Sequence, residues 1–185
     1  MRRPIAFTLA AVALLAPSAT RVAAQSDKLV ADLMADVDEV EKKLVGLAKK
    51  MPADKFDWRP GTGVRSFAEV VMHVAADNYF IPAMVGVAAD ASTGIKGEDY
   101  KTAVAYEQRK LARDAAIAEM EKSFAHLKKA LQNTSTARLS ESINMFGQTS
   151  TVQKTWILAA THLHEHLGQM IAYARTSGVV PPWSQ

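Results

Sequence analysis

The chain contains no cysteine among its 185 residues. That excludes disulfides, thiolate nucleophiles, thiolate metal ligands and a lipidated N-terminal cysteine. Glycine and proline are sparse, at 9 and 7, so the breaks between segments are few and readily placed. There is no glycine-rich phosphate loop, no internal repeat and no low-complexity tract. The excess of base over acid is local. The first 24 residues carry Arg2, Arg3 and Arg21 and no acid, and without them Lys+Arg falls from 22 to 19, equal to the 19 Asp+Glu. A near-neutral remainder offers no electrostatic basis for binding nucleic acid or an anionic membrane surface.

Those 24 residues read as a secretory signal peptide. Arg2 and Arg3 form the positive start, Ile5–Ala16 the short apolar run and Pro17 its end. Val22-Ala23-Ala24 then supplies the cleavage site. The apolar run is too short to span a bilayer comfortably, and no other run approaches that length. The reading is an exported protein, periplasmic or secreted, with no stable membrane insertion after cleavage. Its exported form is expected to begin at Gln25, and intact mass spectrometry finding Met1 retained would rule this out. The remaining 25–185 form one domain.

Four long amphipathic segments and almost no strand signal predict an all-α, four-helix bundle. The first helix is expected over Ser26–Lys50, with Leu29, Leu33, Val37, Val40, Leu44 and Leu47 on one face. Met51–Arg65 reads as a structured loop whose Phe56 and Trp58 fold back on the bundle. Ser66-Phe67-Ala68-Glu69 is a capping box opening the second helix. Ala88–Glu98 is long enough for a crossover. The third helix is expected from about Asp99 to Leu131, with Ile117, Met120, Phe124, Leu127 and Leu131 as a bundle seam. A polar connection follows over Asn133–Thr149, with a short extended piece around Ile143–Phe146. Ser150-Thr151-Val152-Gln153 reads as the box opening the fourth helix, which stops near Ser177-Gly178. The proline pair in the tail ends any helix and leaves Trp183 to cap the bundle.

Three of the five histidines fall within THLHEHLGQMIAY, Thr161–Tyr173. At the helical step of about 100° per residue, His162, His166, Gln169 and Tyr173 share one stripe. Leu163, Leu167 and Met170 lie on an apolar stripe beside it, and His164 points away from both. Histidines at i and i+4 are neighbours and can share a cation. No Asp or Glu occupies the turn before His162 or after His166. Of the other two histidines, His126 sits among lysines, whereas His73 lies in an amphipathic segment and is the better third ligand. Asp77, one turn beyond His73, can orient an imidazole or approach the metal itself. Gln169 can hydrogen-bond a ligand or a metal-bound water, and Tyr173 can add a phenol to the pocket wall. The competing reading is a polar seam whose histidines only hydrogen-bond one another. The protease motif H-E-x-x-H is absent, since Gly168 takes its fifth position, and so are the Glu-x-x-His pairs of di-iron bundles. Glu165 reads as a solvent or interhelix partner.

The closing pattern H-x-H-E-H-L-G-Q-M-I-A-Y-A-R-x-x-G-V-V-P-P resembles the DinB-like (DinB/YfiT-type) superfamily. Trp58-Arg59-Pro60 and Arg65–His73 support it in the right order, and the resemblance covers the chain beyond residue 24. It implies an up-down-down-up bundle with a crossover between helices 2 and 3. It also implies a divalent metal held by His73, His162 and His166. Characterised relatives include metal-dependent thiol-conjugating transferases and thiol-dependent isomerases. Export weighs against a thiol cosubstrate here, because such thiols are chiefly cytosolic. Three imidazoles suit Zn or Ni and leave positions open for water or a small-molecule substrate. The functional expectation is a metal-dependent enzyme, a hydrolase or transferase. One alternative is a non-catalytic exported bundle that binds a metal or small ligand. Another is a bundle whose histidines complete its core and whose exposed helix face forms a homodimer.

Overall fold

The computed structural model describes residues 19–184. Most of the expected signal peptide, residues 1–18, lies outside the described residues. Among the described residues there are five helices: α1 (Ala19–Lys50), α2 (Phe67–Met84), α3 (Tyr100–Glu107), α4 (Arg113–Gln132) and α5 (Val152–Thr176). A hairpin of β1 (Ser142–Met145) and β2 (Gln148–Thr151) precedes α5. Among the described residues no helix is long and apolar enough to cross a membrane.

The four long helices make the bundle. α1 and α2 each pack against both α4 and α5. Side-chain pairs give the directions. Lys49 meets Glu121 while Lys128 meets Asp38, so α1 and α4 run antiparallel. Asp36 meets His164 near the middle of α1, and Lys55 Nζ, just past its end, donates to the Ser177 carbonyl, so α5 runs with α1. Asn78 donates to Ser123, and the carbonyl of Val85, just after α2, accepts from Arg138, just after α4, so α2 and α4 are parallel. The result is up-down-down-up. The long connection from α2 to α4 carries α3, which lies along α2.

The expected seam of α4 is buried, as are Val37, Val40, Leu44 and Leu47 of α1. α2 is apolar on nearly every side because α3, α4 and α5 all cover it. Polar groups on such a helix need partners, and Asn78 finds one in Ser123 at 3.0 Å. The Ser66 capping box is complete: Ser66 Oγ accepts from Glu69 N, and Glu69 accepts from Ser66 N at 2.7 Å. Phe56 packs on Phe67, and Trp58 meets Tyr173 edge-on with ring centres 5.5 Å apart.

Several expectations change. The single third helix is two, broken at residues 108–112. No glycine or proline lies in that break, so tertiary contacts override local propensity. Glu107 turns in to Arg65 and His73, and the Arg109 guanidinium stacks on the Tyr106 ring. Arg113 Nε then donates to the Met51 carbonyl, pinning the start of α4 to the end of α1. The cap of α5 is Thr151 rather than Ser150; Lys154 stands three residues on and cannot reciprocate. Ser150 belongs to β2, the strand that pairs with the expected extended piece. The tail returns to α1, where Pro182 lies over Gly46 and Trp183 stays 40% exposed.

Candidate metal centre

His73 and Asp77 lie one turn apart on α2, and His162 and His166 one turn apart on α5. The antiparallel packing of those helices brings the two pairs face to face. His73, Asp77 and His166 are buried and His162 is half-buried. Each imidazole turns Nε2 inward. His162 Nε2 lies 3.2 Å from His73 Nε2 and 3.1 Å from His166 Nε2. Asp77 Oδ2 points to the same spot, 2.7 Å from His162 Nε2 and 3.3 Å from His73 Nε2. The three histidines form a group that can hold a metal ion.

The outward nitrogens decide the tautomers. His73 Nδ1 faces Glu107 Oε2 at 3.0 Å, His162 Nδ1 faces Glu165 Oε2 at 3.3 Å, and His166 Nδ1 faces Gln169 Oε1 at 2.9 Å. All three partners are acceptors, so each Nδ1 carries the hydrogen and each Nε2 is free to present a lone pair inward. Gln169 is itself fixed, donating from Nε2 to Tyr173 Oη at 2.9 Å. Tyr173 is therefore the far end of a His166–Gln169–Tyr173 chain rather than a group at the centre. Asp77 takes the inward position, against the Nε2 atoms of His162 and His73.

Electrostatics agree with this arrangement. Burial, reinforced by His162 and His73, pushes the His166 imidazole down to about 4, so it is neutral at pH 7. Burial opposes charge on His162, but the Asp77 and Glu165 carboxylates outweigh it and raise its pKa. Burial also opposes charge on Glu107, yet His73 and Arg65 hold its carboxyl down to about 2. The spot where lone pairs and a carboxylate meet is thus built for a positive charge, a proton on His162 or a cation.

Sequence reasoning missed Glu107 and Arg65. Glu107 lies 34 residues from His73 in a helix expected to run straight through it, and no local pattern marks it. His164 stands outside the centre, exposed and bonded to Asp36 at 3.0 Å. His126 is also elsewhere, against the Tyr79 ring. Burial, together with Lys129, pushes the His126 imidazole below its usual 6.5. As pH falls below 6.5 the unfolded chain takes up that proton before the folded one does, so folding loses stability until the folded pKa is passed. In His126→Gln the fall in melting temperature between pH 7 and 5 should be shallower; an unchanged slope would refute this.

Fold and site together define an up-down-down-up helical bundle with a histidine centre in the α2–α5 seam. The chain belongs to the DinB superfamily, whose sequence profile matches residues 36–170. A DinB-like protein from Bacillus cereus superposes with a TM-score of 0.65 at 15% identity, over 84% of this chain and 95% of its own. The DinB-like protein YjoA from Bacillus subtilis gives 0.60 at 16% identity, over 80% and 92%. At these identities the likeness is one of fold. No curated protein sequence matches the chain.

Proposed function

We propose that His73, His162 and His166 hold one divalent cation, with Asp77 as a fourth donor, and that the centre serves a metal-dependent hydrolase or transferase acting on a small molecule. The observation that carries this reading is the convergence of three Nε2 atoms whose Nδ1 partners are all acceptors. Imidazole nitrogens with one carboxylate suit Zn or Ni. When bound, such a cation would supply Lewis acidity to a water or substrate group. The chain's own groups orient and neutralise. Glu107 and Gln169 lock two rings, and Asp77 offsets the cation's charge. The exposed flank of His162, with Glu165 beside it, leaves a side open to solvent. The proposal includes export, supported by the arginine-led apolar start of the chain. The runner-up, a non-catalytic bundle that holds a metal or small ligand, shares this centre and differs only in turnover.

Elemental analysis of protein purified without a His tag or chelator is the test. About one equivalent of Zn or Ni per chain is expected. Absence of metal, with no thermal shift on adding Zn²⁺ or Ni²⁺, would leave the histidines as a hydrogen-bonded seam and sink the reading.

A further inference from the structure

A second feature lies along the same face of α2. His73, Asp77, Phe80 and Met84 follow one another at i, i+4, i+7 and i+11. Phe80 therefore stands about one turn, roughly 5 Å, beyond Asp77. There a cavity of about 620 Å³ opens, walled by Phe80, Met84, Gly97, Tyr100, Ile143 and Phe146. That volume is in the range of small-molecule sites.

Three observations mark it as built. The connection after α2 comes so close to the helix's last turn that a Cβ on Gly97 would lie 2.3 Å from the Ala83 carbonyl; only glycine lets the wall form there. Phe146 and Gly147 are the central pair of the hairpin turn, and both have positive φ, 53° and 82°. Glycine and asparagine suit such a turn, whereas a bulky side chain there is strained. Yet the Phe146 ring is 63% exposed and stands over the cavity, with ring centres 6.3 Å from Phe80 and 6.1 Å from Tyr100. Strain spent on an exposed aromatic ring that the core does not need points to function.

Tyr100 stands at the cavity wall and opens α3, which carries Glu107. Its ring packs edge-on against Phe80 at 5.3 Å. Burial, with the charges of Asp77 and Glu107, raises its phenol above the usual tyrosine range. On the other flank, β2 runs straight into α5, and Thr155 touches Met145 two turns before His162.

We propose that this cavity receives the aromatic end of a small-molecule anion whose anionic end reaches the histidine centre. This names a substrate class for the metal centre proposed above and rests on that reading. The aromatic walls favour a flat ring, and a divalent cation at the centre favours the anion. A ligand spanning both would cover about one turn of α2.

The test titrates 2-naphthoate into the zinc-loaded full chain by ligand-observed NMR, beside Phe146→Asn, Ala83→Leu and octanoate as an aliphatic control. Zinc content and melting temperature are read for each protein. Phe146→Asn relieves the turn while removing the ring, and Ala83→Leu fills the cavity while keeping it. Saturable binding is expected, weakened at least about tenfold in both variants with zinc content and melting temperature retained, and octanoate should bind at least about tenfold more weakly. No binding to zinc-loaded protein, equal binding in both variants, or equal binding of octanoate would overturn the inference and leave the metal centre standing. Failure of wild type to take up zinc would bring down the centre itself, and this inference with it.

Discussion

His166→Ala is expected to lower metal affinity at least about 100-fold, because even partners standing behind metal ligands are worth about 10–100-fold. His73→Ala and His162→Ala should do the same, since each removes one of three converging nitrogens. His164→Ala should retain full metal content: it lies two residues from both ligands but on another face, bonded to Asp36. The effect has a thermodynamic echo. A ligand present at about 1,000 times its Kd stabilises the folded state by ~4 kcal/mol. In a domain of this size that is roughly 10 °C of melting temperature. Chelation should therefore drop wild type and His164→Ala by that order, and leave His166→Ala nearly where it was. Equal metal retention by all four variants would sink the assignment.

The second large effect is expected at Glu107. Glu107→Ala should weaken metal binding about 10–100-fold without touching a ligand, as measured by competition with a chelator of known affinity. Glu107 fixes the His73 ring by accepting from Nδ1 at 3.0 Å, and Arg65 holds Glu107 in turn. Its depressed pKa keeps a full negative charge behind the imidazole, which strengthens Nε2 as a donor. Glu107→Gln keeps an acceptor oxygen but loses the charge, so its loss should fall between wild type and Glu107→Ala. Arg65→Ala should produce a smaller fall, since Arg65 acts only through Glu107. If Glu107→Ala binds metal as tightly as wild type, the carboxylate contributes only to packing α3 on α2.

Much of the centre was legible because its residues obey local periodicity. His162 and His166 are one turn apart, as are His73 and Asp77, and a helix places such pairs side by side whatever surrounds it. Gln169 follows from the same stripe. The helix starts were legible where a chemical signal marks them: Ser66 and Glu69 close their box as expected, whereas at α5 the cap is Thr151, one residue on, with Lys154 where a reciprocating Glu or Gln would stand. The break at 108–112 had no signal, because residues with ordinary helix propensity were bent by contacts with Arg65, His73 and Tyr106. With the break hidden, so was Glu107. The same holds for the cavity, whose walls come from α2, the start of α3 and the hairpin.

The sequence by itself determined the helical class, the face each long helix buries and the pairs of centre residues carried within single helices, since all of these follow from spacing along the chain. Only the tertiary structure decided that the two pairs meet, that Asp77 points inward, that Glu107 stands behind His73 and that an aromatic cavity opens one turn away. Those depend on which helices are neighbours and how far one is shifted along another. That is set by the summed burial of many side chains, and no local spacing records it.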